Sequence, residues 1–223
     1  MNAKLLISGL IKLICGLLCM GLLIFLPAGT FHYPGAWLLI AILFVPMLAA
    51  GIVMWIKSPD LLKKRLNMKE RQKAQKEVIS LSLLMFMAGF IVAGLDFRFG
   101  WSSLFGWINI AAAAVFLLGY LLYAEVLREN AWLSRTIEVQ ENQQVVSSGL
   151  YAIIRHPMYA ATLLMFPAMP LVLGSLWAFP VFLIYPVLII KRIKNEEEVL
   201  KEGLAGYQDY MKKVRYRLIP FVW

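Results

Sequence analysis

Residues 35–56, GAWLLIAILFVPMLAAGIVMWI, form an apolar run without a single charged side chain. A helix needs about 20 such residues to cross the hydrocarbon core of a bilayer. A second run of the same character covers residues 104–122. A water-soluble domain of this length could bury a core, but it would not need runs of this kind. The sequence therefore predicts a protein that spans the membrane.

The composition extends this pattern to the whole chain. Of the 223 residues, 61% are hydrophobic and 16% are charged, which leaves no room for a large soluble domain. We predict an all-α integral membrane protein with one domain over residues 1–223. It should be a polytopic bundle of about six transmembrane helices, with a cytoplasmic helix at its C-terminal end. The expected spans are residues 5–26, 35–56, 78–95, 104–126, 158–174 and 176–190.

The basic residues indicate how the chain is oriented. The link between the second and third spans, residues 57–77, contains eight lysines and arginines, and basic loops stay on the cytoplasmic side. Both termini and the basic tail 191–217 then face the cytoplasm, while the links 32–34 and 96–103 lie outside. The net charge of +9 follows from this topology, so we expect no nucleic-acid partner.

The first span contains three polar or reactive side chains that need no site to explain them. Lys12 interrupts the apolar run, and we expect its long stem to snorkel toward the cytoplasmic headgroups. Cys15 and Cys19 lie one helical turn apart, with no histidine or carboxylate nearby. We interpret them as packing residues and expect neither a disulfide framework nor a metal site.

The last two expected spans are short and rich in proline. Pro167 and Pro170 fall in the fifth span, and Pro180 and Pro186 fall in the sixth. Proline inside a helix kinks or locally unwinds it. Such backbone is tolerated in lipid where neighbouring groups or a cavity satisfy the freed carbonyls. Two interpretations stay open at this point: ordinary kinking, or a helical hairpin that frames a pocket.

Ionisable side chains gather at the two ends of this proline-rich hairpin. Residues 149–159, GLYAIIRHPMY, precede and begin the fifth span, and Arg192, Glu196 and Glu197 follow the sixth. Such residues either cap membrane helices or build a polar site at the bilayer edge. Ionisable groups at membrane depth are functional by default. We therefore predict a functional site in the second half of the chain.

The polar residues of this half resemble those of the isoprenylcysteine carboxyl methyltransferase family and its prokaryotic relatives. The matching positions are Ser148 to Tyr151, Arg155 to Tyr159, Arg192, Glu196 to Glu198, Tyr207, Tyr210 and Arg217 to Pro220. The resemblance covers residues 128–220. Residues 1–126 resemble nothing beyond transmembrane helices, and the resemblance implies that residues 127–223 form a cofactor-binding catalytic half. The segment between Glu198 and Tyr207 is shorter than usual, which leaves open whether Glu196 or Glu197 leads.

The resemblance also implies a cofactor and a set of site residues. The cofactor is S-adenosyl-L-methionine, bound at the cytoplasmic face, and the acceptor is a lipophilic small molecule or lipidated substrate that arrives from the bilayer. Membrane lipids are further expected partners. The catalytic residues implied are Arg192 and Glu196. The cofactor-binding residues implied are Gln143, Val145, Val146, Tyr151, Arg155, His156, Pro157, Met158, Tyr159, Glu196 and Glu197.

The chemistry of methyl transfer is consistent with these residue types. Displacement at a sulfonium needs positioning and exclusion of water, and little acid or base work if the acceptor is already an anion. A carboxylate is such an acceptor, and the planar guanidinium of Arg192 would match it bidentately. The competing interpretations give these residues purely structural roles. Arg192 would pair with Glu196 one turn later, and His156 and Tyr159 would belong to an interfacial aromatic belt.

Other functions stay open on sequence alone. A phospholipid N-methyltransferase or a thiol S-methyltransferase would use the same donor, but its acceptor must lose a proton and would need a nearby base. A small transporter component would also have broken helices and charged groups near the membrane. The clustering of polar residues at one membrane face favours the carboxylate methyltransferase.

Overall fold

The computed structural model describes residues 3–67, 70 and 72–223. Lys69 and Arg71, which contribute to the basic link, lie outside the described residues. The described chain is helical and contains no strand. Its α-helices are α1 Ala3–Ala28, α2 Pro34–Lys57, α3 Pro59–Leu66, α4 Lys73–Phe99, α5 Gly106–Glu129, α6 Pro157–Leu173, α7 Phe179–Phe182, α8 Ile184–Gly203 and α9 Tyr207–Lys213.

Four helices, α1, α2, α4 and α5, are long and apolar enough to cross a membrane. They coincide with the first four expected spans, which confirms the all-α polytopic class. The fifth apolar helix, α6, has 17 residues. The expected sixth span is divided between α7 and the first part of α8, so the count of six stays a prediction.

The two proline pairs act differently on the hairpin. Pro167 and Pro170 lie inside α6, which nevertheless runs without a break until Gly174 ends it with a φ of 80°. Pro180 stands at the start of α7 and Pro186 in the first turn of α8, where a missing amide costs no helical hydrogen bond. Local unwinding is therefore confined to the segment before α8.

Close helix contacts depend on glycine at several positions, and Gly94 and Gly119 are two of them. A Cβ atom on Gly94 of α4 would lie 2.5 Å from the carbonyl oxygen of Ile24 in α1. A Cβ atom on Gly119 of α5 would lie 2.9 Å from the carbonyl oxygen of Ala161 in α6. Any larger residue would push these helices apart, because contacts this short are not seen for real side chains. The pairs α1–α4 and α5–α6 thereby bring distant parts of the sequence together.

The helix α4 connects the two polar ends of the bundle. Near its beginning, Gln75 is fully buried and donates to the Asn195 side chain of α8 at 2.6 Å. Near its end, Asp96 is buried and accepts hydrogen bonds from Ser102 and from the Ser175 hydroxyl. The 21 residues between Gln75 and Asp96 correspond to roughly 30 Å of helix. The charged half of α8 and the Asp96 cluster therefore lie at opposite ends.

Lys12 has a partner within the protein. Its Nζ donates to the carbonyl oxygen of Leu66 at 2.5 Å, and Leu66 is the last residue of α3. The carbonyls at the end of a helix lack partners and attract cations. The long lysine stem thus reaches the end of a neighbouring helix, and snorkelling toward the lipid headgroups stays a prediction.

Candidate active site

The site begins where the C-terminal segment joins the start of α6. The backbone amides of Arg155 and His156 donate to the carbonyl oxygens of Tyr216 and Arg217, each at 2.9 Å. His156 is the N-cap of α6 and Pro157 is its first residue. Proline suits this position because the first amides of a helix have no helical partner. Pro157 therefore fixes the helix start next to the docked C-terminal segment.

Glu197 holds three parts of the chain together. It is 1% exposed and accepts from Arg155 Nε at 2.8 Å and from Arg217 Nε at 2.9 Å, while His156 Nε2 lies 3.2 Å away. Burial alone would raise the pKa of Glu197. The hydrogen bonds from His156, Arg155 and Arg217 outweigh burial and hold that pKa at about 2. Glu197 is therefore an ionised and fully engaged structural carboxylate.

Arg155 is engaged in the same way. One of its terminal nitrogens, Nη1, donates to the carbonyl oxygens of Val214 at 2.7 Å and Arg215 at 2.8 Å. Together with the bond to Glu197, these contacts use the guanidinium to fasten the C-terminal segment. The sequence motif that begins with Arg155 thus serves in large part to bind the C-terminal segment to the start of α6.

A second set of polar groups faces the cavity next to this cluster. The Tyr159 hydroxyl donates to Glu196 Oε2 at 2.5 Å and accepts from Arg192 Nε at 2.8 Å. Arg192 also donates to the carbonyl oxygen of Arg135 at 2.9 Å. In the described part of the chain no direct ion pair joins Arg192 to Glu196. The Tyr159 hydroxyl bridges them instead, so the simple one-turn pair is not what the structure contains.

The cavity itself lies between the start of α6, the charged half of α8, α9 and the connection from α5 to α6, which we call the 130–148 loop. The cavity encloses about 100 Å³, and the space reaches about 830 Å³ when the open solvent at its mouth is included. The structure brings together the following predicted site residues in its lining: Gln143, Val145, Val146, Tyr151, Arg155, His156, Met158, Tyr159, Arg192 and Glu196.

Two predicted residues, Pro157 and Glu197, do not line the cavity. Pro157 shapes the helix start, and Glu197 lies buried behind the cavity among its cationic partners. Glu196 is the acid that faces the cavity. The geometry therefore favours Glu196 for contact with a ligand and gives Glu197 the supporting position.

The sequence interpretation missed most of the cavity wall. The remaining lining residues are Asn130, Trp132, Leu133, Ser134, Thr136, Ile137, Glu138, Gln144, Leu200, Leu204, Tyr207 and Tyr210. Three of these had a signal: Gln144 lies in the stretch from Gln143 to Val146 that the resemblance implies, and Tyr207 and Tyr210 belong to the motif that carries the resemblance. The 130–148 loop has no apolar periodicity that would have predicted its position.

The two tyrosines of α9 have different surroundings. The Tyr210 hydroxyl donates to the carbonyl oxygen of Tyr151 at 2.7 Å. The Tyr207 hydroxyl is buried and has no hydrogen-bond partner among the described residues. Burial raises the pKa of Tyr207, and the charges of Glu197 and Glu196 raise it further. Tyr207 is therefore a neutral phenol at neutral pH.

Two further arginines lie near Arg192, which lines the cavity. The guanidinium of Arg192 lies near those of Arg65 in α3 and Arg135 in the 130–148 loop. Loss of surrounding water lowers the pKa of Arg135, and the charges of Arg65 and Arg192 lower it further. Like charges held this close attract an anion. The site thus offers a carboxylate at Glu196 and a cationic edge a short distance away, which suits a ligand pair carrying both signs of charge.

Comparisons with known proteins agree with this geometry. The family described as PEMT, phospholipid methyltransferase, matches residues 107–205, from α5 across the cavity to α8 and just beyond. A solved structure of the eukaryotic intramembrane Ras methyltransferase ICMT, isoprenylcysteine carboxyl methyltransferase, superposes with a TM-score of 0.59 at 18% sequence identity. The superposition covers 91% of this chain and 74% of that chain.

A curated relative carries a different name. The mouse (Mus musculus) delta(14)-sterol reductase TM7SF2 is 33% identical over 91 residues, which are 40% of this chain and 22% of the reductase. The chain thus spans about a fifth of the length of that relative.

The fold and the site define a class: polytopic membrane proteins with the fold of the intramembrane carboxyl methyltransferase. Within that class, the model of the phospholipid methyltransferase family matches residues 107–205, a little under half of the chain. The resemblance drawn from the sequence is confirmed at this level.

Proposed function

We propose that this protein is an S-adenosylmethionine-dependent methyltransferase that acts on a lipophilic carboxylate at the membrane edge. The observation that carries this proposal is the hydrogen-bonded chain Arg192–Tyr159–Glu196 inside the cavity. It presents a cation and an anion side by side, in a chain whose helices α1, α2, α4 and α5 can cross a bilayer.

The residues of the cavity fit the parts of the donor. S-adenosylmethionine supplies an activated methyl group on a sulfonium. Glu196 and Glu138 are acceptors suited to its ammonium and ribose hydroxyls, and the wall residues Trp132 and Leu133 suit its flat base. These fits support donor binding by this chain.

The cationic edge supports a carboxylate acceptor. In the reaction, a carboxylate oxygen forms a bond to the methyl carbon while the carbon–sulfur bond breaks, and no proton moves. Arg192 already donates through Nε and Nη2, and its Nη1 has no partner in the described part of the chain. Arg192 could therefore hold the acceptor end-on and keep its position through Tyr159 and the Arg135 carbonyl.

An amine acceptor is the second candidate, and two observations favour it. The matching family is described as phospholipid methyltransferase. In addition, the Tyr159 hydroxyl bound to Glu196 could relay a proton away from an ammonium. The carboxylate stays our preferred acceptor because Arg65 and Arg135 surround the same edge with positive charge, which disfavours a cationic headgroup.

Ligand binding tests the donor. The protein, purified in detergent, is titrated by calorimetry with S-adenosylhomocysteine and, in parallel, with a reduced nicotinamide nucleotide, the hydride donor that a reductase would need. We expect saturable heat with the first and none with the second. The reverse result would support the reductase that the sterol reductase match suggests, and heat with neither would favour a transporter component.

Product analysis tests the acceptor. Isotope-labelled S-adenosylmethionine is supplied together with prenylcysteine analogues, phosphatidylethanolamine or simple thiols in parallel reactions. We expect label in the ester of the prenylcysteine carboxylate. Label in the phospholipid amine alone would replace the carboxylate proposal by the amine alternative, with Glu196 and Tyr159 as the proton relay.

A further inference from the structure

The wall of the cavity is held by a helix that lies outside the matched family region. Within the 130–148 loop, residues 131–138 contain no helix, so their position depends on contacts with other elements. Lys64 of α3 donates to the carbonyl oxygen of Ala131 at 3.2 Å and lies 4.7 Å from the centre of the Trp132 ring. Arg65 donates to the carbonyl oxygen of Ser134 at 3.2 Å.

Two further contacts come from the same stretch of chain. Leu61 of α3 packs in a buried apolar cluster with Leu133 and Tyr151. Glu70, after the end of α3, accepts a hydrogen bond from the backbone amide of Ile137 at 3.2 Å. All four wall residues from Trp132 to Ile137 that these groups contact line the cavity: Trp132, Leu133, Ser134 and Ile137. Displacement of α3 would therefore release one side of the proposed donor site.

The stretch that holds the wall is itself crowded with positive charge. Residues 57–77 contain eight lysines and arginines and three acidic residues, a net +5 out of the +9 of the whole chain. Lys57 and Lys63 are exposed. The stretch directly follows α2, whose apolar length crosses the membrane, so it lies at the level of the lipid headgroups. Mutual repulsion among these cations disfavours the docked position of α3.

We infer that α3 binds the anionic phospholipid surface and thereby stabilises the donor site. Phosphate-bearing headgroups near Lys57 and Lys63 offset the repulsion, because a polybasic segment is attracted to an anionic leaflet. Lys64 and Arg65 then stay on the carbonyls of Ala131 and Ser134, and the wall keeps the shape that the ligand needs. The inference rests on the proposed binding of the methyl donor by this cavity.

The consequence is a coupling between lipid composition and donor affinity. Both equilibria share the docked α3, so each ligand strengthens the other by the same factor. The coupling should weaken at high salt because the exposed lysines are screened there. A bilayer of zwitterionic lipid leaves the repulsion in place and should give the weaker site.

The experiment measures the dissociation constant of S-adenosylhomocysteine for the full chain in lipid nanodiscs. One set contains phosphatidylcholine only and the other contains about one third phosphatidylglycerol. We expect at least about fivefold tighter binding in the anionic discs, the lower end of typical coupling between sites. The double variant Lys57→Gln, Lys63→Gln should bind with nearly the same affinity in both kinds of disc, because it loses the attraction to anionic lipid and part of the repulsion together; neither side chain lines the cavity.

A matched control removes the same charge elsewhere. Lys201 and Lys213 are exposed, and the variant Lys201→Gln, Lys213→Gln should keep the full gain. Equal S-adenosylhomocysteine affinity of the parent chain in both lipids would overturn the inference while the proposed function stands. The same holds if both double variants lose the tighter binding in anionic discs to an equal extent. A gain reproduced by inorganic phosphate in phosphatidylcholine discs would overturn the membrane surface as the partner. Absence of binding in every disc would overturn the proposed function and this inference with it.

Discussion

Two carboxylates are almost completely buried at opposite ends of this molecule, and their partners differ in kind. Asp96 and Glu197 are each 1% exposed. Asp96 accepts from neutral donors, the amide and hydroxyl of Ser102 and the hydroxyl of Ser175. Glu197 accepts from the charged side chains of Arg155 and Arg217, with His156 beside it.

The contrast shows that a buried acid does not by itself mark a site. The Asp96 cluster joins the end of α4 to the loop that holds Ser175, and its residues do not line the cavity described above. Next to the Glu197 cluster lie two further charged residues, Glu196 and Arg192, which line the cavity. The end that holds the candidate site differs in having positioned polar groups that are not fully used among themselves.

Glu197→Gln should have the largest effect of any single substitution at these two ends of the bundle. The substitution leaves Arg155, His156 and Arg217 clustered around a neutral group, and breaking a buried ion pair costs about 3–5 kcal/mol. We expect a large fall in the melting temperature of the detergent-purified protein and loss of S-adenosylhomocysteine binding. A variant with unchanged melting temperature would show that the Glu197 cluster is no more structural than the Asp96 cluster.

Low pH should destabilise the Glu197 cluster. The pKa of Glu197 is lowered from 4.5 to about 2 by its donors, so the folded state binds fewer protons than the unfolded state. The stability from this group is fully present above about pH 5 and is lost as the pH falls toward about 2. The free energy of unfolding, measured between these two pH values, should fall less steeply on acidification in Glu197→Gln than in the parent chain. Identical slopes would contradict the assignment of the low pKa.

Arg192→Lys should remove most methyl transfer and leave the fold intact. A lysine keeps the charge, but it cannot keep the bonds to Tyr159 and the Arg135 carbonyl and also offer a planar end to a carboxylate. The loss should appear in the turnover and apparent affinity of the acceptor. Weaker S-adenosylhomocysteine binding with normal acceptor kinetics would move Arg192 to the donor site.

Glu196→Gln should affect the ligand and spare the fold, in contrast to its neighbour. Loss of one charge-assisted contact predicts about tenfold weaker S-adenosylhomocysteine binding, or about 1.4 kcal/mol. The melting temperature should stay close to that of the parent because Glu196 lines the cavity and Glu197 does not. Equal effects of the two glutamine variants on stability and binding would abolish the distinction between them.

Asp96→Asn should have the smallest effect of the series. Its partners are neutral, so the substitution costs about 1–2 kcal/mol through a hydrogen bond of the wrong polarity. Methyl transfer and ligand affinity should be unchanged at a temperature where the protein is folded. Lost activity in a folded Asp96→Asn protein would contradict a purely structural role for that end of the bundle.

Each apolar run determines its own helix, independently of the rest of the chain, and these helices make up much of the fold. In a bilayer, backbone groups must be satisfied within each segment, so the length and polarity of a run decide whether it forms a spanning helix. The first four spans follow from this rule. The division of the last hairpin into α7 and α8 does not follow from it, because the sequence alone does not distinguish a proline at a helix start from a proline inside a helix. The partner of Lys12 likewise depends on where α3 lies.

The motif at Arg155 to Tyr159, together with Arg192 and the acids of α8, was enough to predict the charged residues of the cavity except Glu138. Which of Glu196 and Glu197 faces the cavity depends on tertiary packing, since adjacent side chains on a helix point about 100° apart and packing sets the rotation of the helix. The wall formed by the 130–148 loop depends on it in the same way. Its position comes from long-range bonds to α3 and α8, and bonds of that kind leave no periodic trace in the sequence.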